Sequence, residues 1–146
     1  RQMDREAIIA AAKEVVKLGA PFVFATVDTD GGPRMRWMGG LMLEEPFLIN
    51  MAAGAGSRKF DQLAGNPKAQ LMFQSPDFST VATLYGECVA LDEAGLKQRI
   101  WEAMPALARF VSGPDDPSLA VMCFTTRRLE VMKLHETGEN PSVVEF

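Results

Sequence analysis

Phe22-Val-Phe-Ala-Thr-Val-Asp28, Thr29-Asp-Gly-Gly32 and Pro33-Arg-Met-Arg-Trp-Met-Gly-Gly-Leu-Met-Leu43 follow one another without interruption. The first run is aromatic and β-branched, the second supplies the flexible residues of a hairpin turn, and the third reads as the returning strand. Glu45-Pro46 then turns the chain into another apolar run, Phe47-Leu-Ile-Asn-Met51. The first half of the chain is therefore predicted to be a β-meander. Before it, Asp4 is placed to cap a helix whose Ile8, Ala12 and Val15 share one face, with Ile9 and Val16 beside them; Gly19 and Pro21 stop it.

Beyond the meander, Ser57 is predicted to cap a short helix with Phe60, Leu63 and Ala64 as its apolar stripe, ended by Gly65-Asn66-Pro67. Strands are expected from Ala69 to Gln74 and from Thr80 to Leu91, on either side of a Ser75-Pro76-Asp77 turn. Asp92 then caps a third helix with Leu96, Ile100 and Ala103 inward, interrupted by Pro105. After the loop Gly113-Pro-Asp-Asp-Pro117, the segments Leu119 to Thr126 and Leu129 to Leu134 read as a strand pair or one bent strand. Many strands, short turns and few peripheral helices predict a small antiparallel barrel. It forms a single domain over 1–146, with residues 1–20 as an N-terminal helix and 136–146 as a tail.

Composition narrows the function. Hydrophobic residues are 47% and charged residues 23% of 146, which fits a folded domain and not a disordered chain. Fifteen Lys and Arg against 19 Asp and Glu leave a net charge of −4, so a general nucleic-acid binder is not expected. The longest stretch without charge, Pro46 to Ser57, holds a proline and two glycines and is too short to span a bilayer. Two Cys and one His support neither a disulfide framework nor a His/Cys metal site. Reduced thiols and a cytoplasmic location are the expectation.

The segment that carries chemistry is Gly54-Ala-Gly-Ser-Arg-Lys59. Cations in the first turn of a helix oppose its dipole by ~0.3–1 kcal/mol each. An anion held there reverses the balance, because N–H groups, a Ser hydroxyl and two cations would converge on its oxygens. A phosphate is the natural ligand. The alternative is that Arg58 and Lys59 simply point into water. Neither a dinucleotide fingerprint nor a Walker loop fits the spacing. A second segment, Pro33 to Met38, alternates: Arg34, Arg36 and Met38 fall on one face, Met35 and Trp37 on the other. The basic face suits an extended anionic ligand; the alternative is a solvated strand with Trp37 in the core.

Three runs occur in order: Ala25-Thr-Val-Asp-Thr-Asp-Gly-Gly-Pro-Arg-Met-Arg36, Ser57-Arg-Lys-Phe-Asp-Gln-Leu63 and Asn66-Pro-Lys-Ala-Gln-Leu71. Together they resemble the pyridoxamine 5′-phosphate oxidase-like flavin-binding split barrels, nearest the general stress protein branch. The likeness covers roughly Phe22 to Leu134, including the Trp101 helix and the Gly113 loop. It implies a mainly β fold, a six-stranded antiparallel split β-barrel with peripheral helices. It also implies a homodimer with FMN between the subunits. Ser57, Arg58 and Lys59 match the family's phosphate-binding Ser-Arg-Lys, and Arg36, Trp37 and Met38 match the strand along the isoalloxazine and ribityl groups. At Ala53 and Gly54, relatives commonly carry hydroxyls; only main-chain groups are available here. Val81 stands where the oxidase proper has a Gln, and the basic substrate-phosphate set near its C-terminus has no counterpart, so pyridoxamine phosphate oxidation is not expected.

The resemblance thus implies a flavin-dependent oxidoreductase acting on an unidentified small molecule. Its rivals are a non-catalytic flavin-binding stress-response protein, the same barrel holding a deazaflavin or haem, and a cofactor-free dimer. Arg58 and Lys59 are expected to be solvent-facing in the empty protein. His135 lacks the surroundings of a triad, Cys88 and Cys123 read as small buried hydrophobes, and most of the nine Met as core filling.

Overall fold

The computed structural model describes residues 3–136 and 140–146. Helix α1, Arg5–Val15, is capped as its sequence predicts: the Asp4 carboxylate accepts from the Ala7 N–H at 2.9 Å. Its buried residues Ile8, Ala11, Ala12 and Val15 close one end of a curled antiparallel sheet. The strands are β1 (Phe22–Val27), β2 (Pro33–Met38), β3 (Met42–Glu44), β4 (Leu48–Gly54), β5 (Lys68–Gln74), β6 (Thr80–Leu91), β7 (Leu119–Lys133) and β8 (Ser142–Glu145). Helix α2, Lys59–Gly65, lies between β4 and β5; α3, Ala94–Ala103, and a 3-10 turn, Pro105–Arg109, lie between β6 and β7.

The strand order is β2-β1-β5-β6-β7-β4-β3, with β8 paired to β7. Strands β2 and β3 are the two ends of that path, yet only residues 39–41 join them. A flat sheet of seven strands would hold its edges ~29 Å apart, whereas such a link reaches at most ~14 Å. The sheet must therefore curl into a barrel left open between β2 and β3. Gly40 makes the crossing: its φ is +85°, and a Cβ there would sit 3.2 Å from the Met104 Sδ.

The fold class is the one expected, with eight strands in place of six. The predicted strand from Pro33 to Leu43 divides at this crossing, and the tail supplies β8, whose Val144 is buried. The tail is tied down further by Phe146, whose ring lies 5.6 Å from that of Phe47. Residues 119–133 form one strand, bent where β6 and β7 slip register at Tyr85/Gly86. The third helix is capped at Glu93, not Asp92, and without a side-chain bond; the Asp92 carboxylate faces Lys97 at 3.6 Å instead.

Alternation decides what is inside. β1, β5 and the first half of β6 bury every second residue, and Phe22, Phe24, Phe73, Leu84, Phe124 and Leu129 fill the barrel, each contributing ~1.5–3 kcal/mol on full burial. A smaller cluster of Leu96, Ile100, Met104 and Val121 seats α3 on the outside. Cys88 points inward with Phe124, and burial pushes its thiol up to about 12. Cys123 faces outward opposite Val89, so the two thiols lie on opposite faces of the sheet and both are free.

Candidate functional site

The β1–β2 register sets the site. Arg36 pairs with Phe24 and Met38 with Phe22, and both Phe side chains point into the barrel. Arg36 and Met38 therefore face inward, while Met35 and Trp37 face solvent, 74% and 66% exposed. The alternative of a solvated strand with Trp37 in the core is overturned, because pairing with inward Phe24 turns the arginine in and the indole out. Arg36 passes over the Phe24 ring at 5.6 Å. Its guanidinium reaches the Phe24 carbonyl at 3.2 Å, the Thr26 Oγ1 at 2.8 Å and the Gln62 Oε1 at 2.7 Å.

On α2 the Lys59 ammonium donates to the Ser57 Oγ at 2.7 Å. Ser57 is thus not the side-chain cap expected of it; the residue flanking the helix is Arg58, which makes no capping bond. Lys59 is 8% exposed, contrary to the expectation that both cations face water. Its alkyl stem is covered as α2 folds against β1 and β6. Arg58 is exposed.

Electrostatically the cluster is one-sided. Among the described residues, Arg36, Arg58 and Lys59 have no carboxylate within ion-pairing distance, although Arg34 beside them pairs with Asp28 at 2.9 Å and Asp30 at 3.0 Å. Burial, and then the charge of Arg36, hold the Lys59 ammonium below its ordinary 10.5. Burial, and then Arg58, lower Arg36 in the same way. Gln62, which binds Arg36, stands on α2 within one turn of both Arg58 and Lys59, so the three charges gather at one end of that helix. Such a set stabilises an incoming dianion, because the repulsion it carries is removed when the anion arrives.

The structure thus brings Arg36, Ser57, Arg58 and Lys59 together. Ala53 stands at the end of β4, joined to them by the turn in which the Ser57 N–H donates to the Gly54 carbonyl at 3.0 Å. Met38 lies on the inner face and packs against the core. Trp37 is on the other side of β2, where it helps line a cleft of about 750 Å³ with Leu18, Pro21, Gln74 and Phe78. Sequence reasoning missed Gln62 and Thr26, which anchor Arg36. Gln62 lay inside the Ser57 to Leu63 motif, but nothing local pointed it at a strand. His135 lies in the turn after β7 beside α1, and no group of three or more His, Cys, Asp and Glu among the described residues could hold a metal.

Comparison with known proteins agrees with the fold. The family model described as pyridoxamine 5′-phosphate oxidase matches residues 8–133. Among solved structures, a Clostridium acetobutylicum protein related to general stress protein 26 superposes with a TM-score of 0.82 at 19% identity, covering 99% of this chain and 97% of that one. A pyridoxamine 5′-phosphate oxidase-related, FMN-binding protein of Nostoc punctiforme gives 0.72 at 17%, covering 97% and 95%. A heme-binding protein of Mycobacterium smegmatis gives 0.75 at 14%, covering 98% of this chain and 60% of that one. No curated protein matches in sequence.

Proposed function

The chain belongs to the pyridoxamine 5′-phosphate oxidase family, and from that premise we propose that it is an FMN-binding protein, a cytoplasmic homodimer whose flavin acts on a small molecule. The observation that carries this reading is the convergence of Arg36, Arg58 and Lys59 without a carboxylate to neutralise them. A phosphate monoester, doubly charged above its second pKa of ~6, is complementary to that set. Bound FMN would supply electron and hydride transfer. The chain would hold the phosphate with Ser57, Arg58 and Lys59, and would offer Arg36 and the β2 backbone beside Trp37 and Met38 to the rest of the cofactor, with Ala53 contributing main-chain groups only.

Titrating FMN and riboflavin separately into the cofactor-free protein tests it. Quenching of FMN fluorescence at concentrations where riboflavin stays free is the expected result; equal affinity for the two would remove the phosphate assignment. The absorption spectrum of protein purified from cells separates FMN from deazaflavin and haem, the two rival cofactors. Faster reoxidation of the reduced flavin by a candidate substrate than by oxygen alone separates an enzyme from a non-catalytic carrier.

The site also sets a pH dependence. Because Lys59 is held below 10.5, its charge is lost as pH rises through that lowered value, and FMN affinity should begin to fall before pH 10.5 is reached. On the acid side it should fall as the phosphate becomes a monoanion below ~6. Riboflavin, which lacks the phosphate, should show no acid limb. A Lys59→Met variant that keeps the alkaline limb would show that another group carries it.

The outer face of β2, β1 and β5 supports the homodimer. Trp37, Val23 and Met72 lie in line across the three strands, and Met35, Trp37 and Met72 are large, apolar and exposed. A second copy would cover this stripe and bring its own atoms beside the flavin strand. Met35→Lys combined with Trp37→Glu should convert the dimer to a monomer in sedimentation velocity without unfolding it. An unchanged sedimentation coefficient would place the interface elsewhere.

A further inference from the structure

Gln62 is 4% exposed, and its Oε1 accepts two hydrogen bonds, from Arg36 Nη2 at 2.7 Å and from Thr26 Oγ1 at 2.6 Å. Arg36 Nη1 donates in turn to Thr26 Oγ1 at 2.8 Å. A guanidinium can only donate, so every proton in this triangle is assigned. The amide oxygen faces the arginine, and the Thr26 hydroxyl gives its proton to Gln62 while accepting from Arg36. Both side chains are buried, Thr26 at 2% exposure. Among the described residues nothing in contact with Arg36 bears a charge of the opposite sign: its acceptors are the Gln62 and Thr26 oxygens and main-chain carbonyls.

A glutamate at 62 would have nearly the same shape, accept the same two bonds more strongly, and give a half-buried arginine the counter-ion it lacks. By the ordinary logic of a buried cation, the carboxylate is the better partner. The amide has one property the carboxylate does not: it fixes the guanidinium and leaves its charge intact. Positions 58, 59 and 62 share one face of α2 at i, i+3 and i, i+4 spacing, so a charge at 62 would bear on all three cations at once. We infer that Gln62 is a specificity-determining residue, which holds Arg36 in place with a neutral oxygen so that the positive charge of Arg36, Arg58 and Lys59 remains available to an anionic ligand. Resting on the proposed FMN site, this adds the reason that the site prefers a phosphorylated flavin to an unphosphorylated one.

Gln62→Glu is the test, with FMN and riboflavin as probes. The variant should be at least as thermally stable as the native protein, bind FMN at least about tenfold more weakly, since one unit charge is added among three, and keep its riboflavin affinity within about threefold. Gln62→Met, which removes the acceptor without adding charge, should be less stable and weaken both flavins together. A folded Gln62→Glu protein with the native ratio of FMN to riboflavin affinity would overturn the inference. If that variant does not fold, Thr26→Asp presents a carboxylate to the same guanidinium from β1 and is read in the same way. Unfolding of both would also overturn it, because a cluster with surplus positive charge must accept a carboxylate. Native protein that fails to prefer FMN removes the proposed function itself; a native preference that Gln62→Glu leaves unchanged removes only the role of Gln62.

Discussion

Replacing Arg58 by alanine and Lys59 by methionine together is expected to weaken FMN binding by at least about a hundredfold while leaving the barrel folded. A charge-assisted hydrogen bond contributes ~1.5–3 kcal/mol, and two of them correspond to roughly two to four orders of magnitude in the dissociation constant. Methionine is the right replacement at 59 because the lysine is 8% exposed; alanine would leave a hole under α2, whereas methionine keeps the stem and removes the charge. Losing that charge also relieves the repulsion with Arg36, so stability should hold or rise. The only partner of the ammonium among the described residues is the Ser57 hydroxyl, which can turn to another acceptor. The check is the FMN dissociation constant beside a thermal melt: affinity within threefold of native, on a folded variant, would sink the phosphate site.

Gly86→Ala should cost about 3 kcal/mol or more, among the largest effects of any single methyl in this chain. A Cβ at Gly86 would lie 1.9 Å from the Thr125 carbonyl oxygen, 3.0 Å from its carbon and 3.2 Å from the Phe124 Cζ. The first two are backbone atoms, so no rotamer change relieves them. Gly86 sits where β6 and β7 change register: Tyr85 faces Arg128, Gly86 faces Thr126, and Arg127 is the extra residue. These are the two longest strands, 12 and 15 residues, and opposite β6 the β7 strand pairs with β4 before the bulge and with β8 after it. At ~2–4 °C per kcal/mol for a chain of this size, the melting temperature should fall by about 10 °C. A fall of less than about 3 °C would mean that the ladder absorbs the methyl by sliding, and that the bulge is softer than its contacts indicate.

Much of the architecture was written locally. The Asp4 cap, the β1–β2 and β3–β4 hairpins, the short helix after Ser57 and the turn at Ser75-Pro76 all depend on near neighbours in sequence, through capping, alternation and turn chemistry; the predicted meander from Phe22 to Met51 does not hold, because β2 and β3 part to opposite ends of the sheet. So did the motif Ser57-Arg-Lys, whose ligand class could be argued from charge alone. Strand β8 was missed because Ser142–Glu145 is a short segment whose pairing with β7 depends on distant residues. The division of β2 from β3 was missed for the converse reason: the run from Pro33 to Leu43 is apolar enough to read as one strand. Only the closing of the sheet makes Gly40 a corner.

By itself the sequence determined which residues alternate, that the first helix starts at Asp4, and that Arg58 and Lys59 stand beside a serine. Period-two alternation separates Arg36 from Trp37 but is blind to which side is the interior; that was decided by register, since Phe24 opposite Arg36 must point into the barrel. Tertiary packing alone buried Lys59, turned Arg36 toward α2 and gave it Gln62, because hydrogen bonds spanning 26 residues of chain exist only once α2 has docked against the β1–β2 hairpin.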